Sequence, residues 1–158
     1  MSVSKNLAAL FRRDLSRLTQ QIEAFPNDGA LWQTLPGATN STGNLALHIE
    51  GNLREYVGRQ LGKLPYTRER PREFTLNGIG REELRSRIAE LVLSIPRIIE
   101  DLSPEEMATE YPEAVLGTPV STQQFLIHLY GHLNWHLGQV DYLRRIITGG
   151  SAIVGARL

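Results

Sequence analysis

Cysteine is absent from this chain of 158 residues. That removes disulfides, thiolate metal sites and a cysteine nucleophile. It also fits a reducing compartment, so a cytoplasmic location is the expectation. Net charge is missing too, since Lys+Arg and Asp+Glu are both 17. A balanced chain has no overall electrostatic pull toward nucleic acid or an anionic membrane, and no basic recognition helix is visible. No apolar run approaches the roughly 18 residues of a membrane span. The start, Met1-Ser-Val-Ser-Lys-Asn, lacks the apolar core of a signal peptide. Internal repeats and low-complexity tracts are likewise lacking.

Helical periodicity is present. At 41% apolar and 22% charged the composition is that of an ordinary globular protein, and the length suits one domain over residues 1–158. Leu7, Leu10, Phe11, Leu15, Leu18, Ile22 and Phe25 recur at three- and four-residue steps, predicting a helix from about Ser4 to Phe25. Pro26-Asn27-Asp28-Gly29 stops it. Trp32 and Leu35, in the loop that follows, should pack over one end of the bundle. A second helix runs from near Ser41 to Leu61-Gly62, with Ala46, Ile49, Leu53 and Val57 inward and His48 at the edge of that arc. Residues 63–80, with Pro65, Pro71, Gly78 and Gly80, form a long connection, read as a crossover or functional loop. The third helix spans about Arg81 to Asp101, and Pro96 should kink it or end it early. Ser103-Pro104-Glu105-Glu106 opens a short helix. The last runs from Ser121 to about Thr148, closed by Gly149-Gly150. The tail, Ser151 to Leu158, carries no strong signal. The fold class is all-α, a four-helix bundle.

All four histidines lie on the second and last helices. His132 and His136 are one turn apart and about 40° apart in direction, on the side of Phe125, Leu129 and Leu143. Burying two imidazoles on an apolar stripe is costly without partners. A metal ion would supply one, since histidines at i and i+4 present two nitrogens to one ion. His48 would complete a three-histidine site with open positions. His128 also stands one turn from His132, so a His128/His132 pair is the alternative. The His132/His136 pair lies closer to the stripe centre.

The string His132-Leu-Asn-Trp-His136-Leu-Gly138-Gln139, with His48 upstream, resembles the DinB-like metalloprotein superfamily. His48-Ile-Glu-Gly51-Asn52-Leu53-Arg54 and Arg68-Glu-Arg70-Pro-Arg72-Glu73-Phe74 are similar to one uncharacterised branch of it. The resemblance implies an up-down-down-up bundle with a long crossover between helices 2 and 3. It implies a divalent metal, nickel or zinc, held by His48, His132 and His136, with His128 outside the ligand set. Its characterised members include thiol-dependent S-transferases and an isomerase using low-molecular-weight thiols, and homodimers are common. A small-molecule substrate is therefore expected, with neither nucleic acid nor membrane as partner.

Around the site, Asn52 and Glu55 follow His48 by one and two turns. Asn52 is a candidate to orient a ligand, and Glu55 to act as general base or accept an imidazole N–H. His128 and Gln139 are candidates for a supporting shell. Arg68, Arg70 and Arg72 either bind a substrate carboxylate or pair with Glu69 and Glu73. Three function classes remain: a metal-dependent transferase or hydrolase, a non-catalytic metal-binding or stress-response module, and a bundle with core histidines and no metal.

Overall fold

The computed structural model describes residues 2–153. Four long helices form the bundle: α1 (Val3–Glu23), α3 (Thr42–Leu53), α5 (Arg81–Glu100) and α7 (Thr122–Thr148). Three short ones, α2 (Asp28–Leu31), α4 (Arg70–Thr75) and α6 (Pro104–Ala108), sit in the connections. No strand occurs among the described residues; Glu110 and Ser121 form one isolated antiparallel bridge.

Sequence-local signals fix the helix ends. Ser2, Ser41, Ser103 and Ser121 each accept a backbone N–H through the side chain as N-caps, and Ser103 and Glu106 form a reciprocal capping box. Gly149 closes α7 at φ 67°, the left-handed conformation that glycine adopts without a Cβ penalty.

Side-chain pairs across the helices define the topology. Tyr130 donates to Asp14 at 2.8 Å and Gln21 donates to Asp141 at 2.9 Å, so α1 and α7 run parallel. Arg87 meets Glu50 at 2.7 Å and Arg54 meets Glu90 at 2.8 Å, so α3 and α5 are parallel as well. Arg85 with Glu23 and Arg12 with Glu100 set α1 against α5 in the opposite sense. His48 faces His132 while Tyr56 faces Phe125, which makes α3 and α7 antiparallel. The result is up-down-down-up, as the resemblance implied. Two parallel neighbours joined in sequence require a long crossover, and residues 60–80 provide it.

The core is apolar, centred on Phe11, Leu15, Leu18, Ile22, Leu84, Ile88, Leu126 and Leu133. One charge is wholly buried in it. The Asp14 carboxylate accepts from Arg13, Arg17 and Tyr130. Burial pushes this carboxyl up, but the hydrogen bonds from Arg13 and Tyr130 and the Arg13 charge outweigh it and hold the group below its ordinary value.

Three expectations need correction. Pro96 does not end α5, which continues to Glu100 with Ile95, Pro96 and Ile99 buried; packing against α1 holds the helix across the lost hydrogen bond. The second helix does not stay α-helical to Leu61. Arg54–Arg59 is π-helical, with Gln60 N–H donating to Glu55 O and Gly62 N–H to Val57 O. The connection at 63–80 is not bare loop, for α4 begins at Arg70 with Pro71 in its first turn. Trp32, half-buried against the core, donates its indole N–H to Ile79 O at 2.9 Å. Of the tail, residues 154–158 lie outside the described ones.

Candidate metal centre

His48 is brought to α7 by the antiparallel pairing of α3, and α7 supplies His132 and His136 from successive turns. Nε2 of His132 lies 3.1 Å from Nε2 of His48 and 3.1 Å from Nε2 of His136. One ligand atom from each of the three rings falls within 4.8 Å of the others. Ligands at the usual zinc–nitrogen distance in a tetrahedron stand roughly 3.3 Å apart, close to the two distances from His132.

The outer nitrogens fix the direction of the lone pairs. Nδ1 of His48 lies 2.8 Å from Oε2 of Glu73. A carboxylate only accepts, so in the neutral ring Nδ1 carries the proton and Nε2 presents its lone pair. Nδ1 of His136 is 2.7 Å from the side-chain oxygen Oε1 of Gln139, which orients that ring in the same way. Both lone pairs then aim at Nε2 of His132, which can donate at most one proton to the pair of them. A cation among the three satisfies every nitrogen, and the donor set of three imidazoles suits a borderline divalent ion.

Electrostatics favour the neutral form of the two rings on α7. Burial, followed by the neighbouring His136 and His48, lowers the pKa of His132 to about 4. Burial also lowers that of His136, although the Gln139 bond opposes the change. Burial pushes the Glu73 carboxyl up, but His48 and Arg68 outweigh it and keep the group below its ordinary value.

Glu73 is the residue that sequence reasoning treated only as a partner for the arginines. It sits on α4, folded over α3, and is buried. Arg68 grips it twice, Nε to Oε1 at 2.7 Å and Nη2 to Oε2 at 3.0 Å. Gly51 makes the approach possible, because a Cβ there would collide with Glu73 Oε1. A glycine three residues after His48, ahead of a crossover whose only acids are Glu69 and Glu73, was the available signal. Phe74, next on α4, lies against the His48 ring with centroids 4.9 Å apart.

The remaining candidates separate. His128 is exposed and stacks on Phe125; it stands outside the three-nitrogen cluster. Gln139 is exposed and holds His136. Asn52 is buried one turn beyond His48 and its amide has no partner among the described residues. Glu55 pairs with Arg59 and makes no bond to the histidines. Arg68 and Arg72 are taken up by Glu73 and Glu69, whereas Arg70 lies over the Phe74 ring at 5.5 Å. His132 and His136 are half-buried, not in mid-core, because they lie on the α3 side of α7 toward its outer face.

No family model matches the chain, and no curated protein does. Solved structures do. A DinB-like protein from Bacillus cereus ATCC 10987 is 17% identical over 89% of each chain, with a TM-score of 0.68. A conserved protein from Enterococcus faecalis is 17% identical, covering 95% of this chain and 99% of its own, with a TM-score of 0.74. This chain has the DinB-like fold. Within the DinB-like bundle the three histidines occupy facing helices of the core, where side chains of such bundles build metal sites. No helix among the described residues is long and apolar enough to cross a membrane.

Proposed function

We propose that the chain is a cytoplasmic metalloprotein. In this reading it holds one nickel or zinc ion on His48, His132 and His136 and uses it to transfer or hydrolyse a small molecule, with a low-molecular-weight thiol as the favoured co-substrate. The observation that carries this reading is the convergence of three Nε2 atoms, two of them with lone-pair direction set by Glu73 and Gln139. Three protein ligands leave positions open for exchange, the arrangement of catalytic and not of closed structural sites.

Bound there, such an ion supplies Lewis acidity that makes water or a thiol available as its anion at neutral pH. The protein's own residues divide the remaining work. Glu73 takes the Nδ1 proton of His48 in a hydrogen bond and raises the basicity of that ring. Arg68 fixes Glu73 in turn. The Asn52 side chain, 7% exposed and without a protein hydrogen bond, is free to orient a ligand. Arg70 keeps its N–H groups for an anionic substrate, at a groove of about 510 Å³ that Tyr56, Tyr66 and Arg68 also line.

Metal content of protein purified without a histidine tag tests the site. One ion per chain is expected, lost for the most part in His48→Ala, His132→Ala and His136→Ala and kept in His128→Ala. An ion-free wild type rejects the reading. For activity, the cobalt-substituted protein should change its spectrum when a thiol is added, and an electrophile should turn over with one of a panel of thiols. Ion binding without either response identifies a non-catalytic metal-binding module.

A further inference from the structure

A cavity of about 280 Å³ opens behind the Glu73 carboxylate, between α3, α4 and α5. Two of the carboxylates that line it are buried: Glu50 is 3% exposed and Glu73 6%. Glu50 accepts from Arg54 Nε at 2.8 Å, from Arg87 Nε at 3.1 Å and from Arg87 Nη2 at 2.7 Å. Glu73 likewise accepts three bonds, two from Arg68 and one from His48. An ionised carboxylate has about four acceptor sites, so each of these groups keeps one. Tyr66 stands with them in the wall. Its hydroxyl has no hydrogen-bond partner among the described residues. Burial, followed by the Glu50 and Glu73 charges, pushes its pKa up. The phenol therefore lies in the field of both carboxylates and bonds to neither. Buried polar groups are nearly always satisfied, and three open sites around one cavity call for a donor from outside.

The solvent side has the opposite character. Arg72, on α4, gives Nη1 to Glu69 at 2.8 Å and keeps Nε and Nη2. Arg87, on α5, commits Nε and Nη2 to Glu50 and keeps Nη1, which is 3.9 Å from Glu83. Both arginines line the cavity and both reach solvent. Leu47 and Leu76 supply the apolar part of the wall.

Charge balance selects the ligand. With Arg54 and Arg68 behind the wall, four guanidinium groups surround three carboxylates, Glu50, Glu69 and Glu73. A bare cation or a bare anion meets like charge about as often as opposite charge. A molecule carrying both charges meets each on its own side. A primary ammonium brings a donor for every open acceptor of the inner wall, and a carboxylate suits the guanidinium N–H groups of the outer one. The volume, about nine waters at ~30 Å³ each, accommodates a molecule of that size.

We propose that the cavity between α3, α4 and α5 binds a free α-amino acid with a small aliphatic side chain. The ammonium rests on Glu50, Glu73 and the Tyr66 hydroxyl, the carboxylate on Arg72 and Arg87, and the side chain against Leu47 and Leu76. Glu73 belongs to this cavity and to the histidine cluster at once. An ammonium on its carboxylate draws charge away from the His48 bond and makes that ring a poorer ligand. Amino acid and ion then oppose each other, by the same factor in both directions. This coupling rests on the metal reading; the cavity does not.

Calorimetry on the full chain, freed of metal by a chelator, tests the site with L-alanine, L-valine and L-leucine. At least one binds with a dissociation constant of about 1 mM or tighter. For valine, isovalerate lacks the ammonium and isobutylamine lacks the carboxylate, and each binds at least about tenfold more weakly. Tyr66→Phe and Arg72→Gln each weaken the amino acid about tenfold and keep the thermal midpoint, since the phenol hydroxyl has no protein partner and Arg72 is exposed. His132→Ala binds the amino acid as the wild type does, so failure of the metal reading leaves this result standing. No binding by any of the three, equal binding of isovalerate or isobutylamine, or indifference to both substitutions overturns the site. In the metal-loaded protein, a saturating amino acid lowers ion affinity severalfold by chelator competition, and an unchanged ion affinity overturns the coupling.

Discussion

Oε2 of Glu73 lies 2.8 Å from Nδ1 of His48, and the residue that carries it is contributed by the crossover, not by the bundle. The short helix α4 thereby joins the histidine cluster, and the long connection between α3 and α5 has a chemical as well as a topological purpose. Removing the carboxylate in Glu73→Ala should lower metal affinity by about 10- to 100-fold, the usual cost of losing a hydrogen-bonded partner of a ligand imidazole. Competition with a chelator of known affinity measures it. Unchanged affinity would show that Glu73 serves only to bind Arg68.

Gly51→Ala tests the same contact from the other side. The new Cβ displaces the Glu73 carboxylate, and the variant should lose metal affinity to the same degree as Glu73→Ala. Gly58→Ala, where an added Cβ meets only ordinary contacts at 3.8 Å and beyond, should bind as the wild type does. If both alanine variants behave alike, the Gly51 contact is irrelevant to the site.

Asn52→Leu should leave metal loading intact and stability undiminished, because no protein hydrogen bond is removed. Its effect should appear when a thiol is added: the concentration needed to shift the cobalt spectrum should rise about tenfold, the equivalent of one lost hydrogen bond. An unchanged titration would remove Asn52 from the ligand-binding surface.

Acid should destabilise the fold through Asp14. Its folded pKa is below the ordinary carboxylate value of about 3.9, so the unfolded chain binds the proton more readily. The contribution is fully present above roughly pH 5 and is lost as pH falls through the folded pKa. Asp14→Asn should cost about 2 kcal/mol at pH 7, allowing for partly exposed arginine partners. It should also flatten the dependence of the urea midpoint on pH below 5. A variant that retains the wild-type pH dependence would locate the acid sensitivity elsewhere.

The bundle was legible because four amphipathic stripes with serine caps repeat local rules that tertiary packing does not override. The histidine pair was legible for the same reason, since i and i+4 spacing survives in any helix. Glu73 was not. Its place depends on α4 forming over α3 and on an empty position at Gly51, relations between segments that no periodicity encodes. The extent of α5 was read correctly, but not that Pro96 leaves it uncut, for burial of Ile95 and Ile99 decides that, not propensity.

His48 precedes the crossover and His132 and His136 follow it, so the cluster spans the seam between α3 and α7. An ion held there would act as a clasp closing a loop of more than eighty residues. Each tenfold rise in free ion above its dissociation constant would then add about 1.4 kcal/mol to the folded state. Scarcity would first loosen α3, with α4 riding on it, and expose the crossover to proteolysis. Through this linkage the lifetime of the protein would follow the metal supply of the cell.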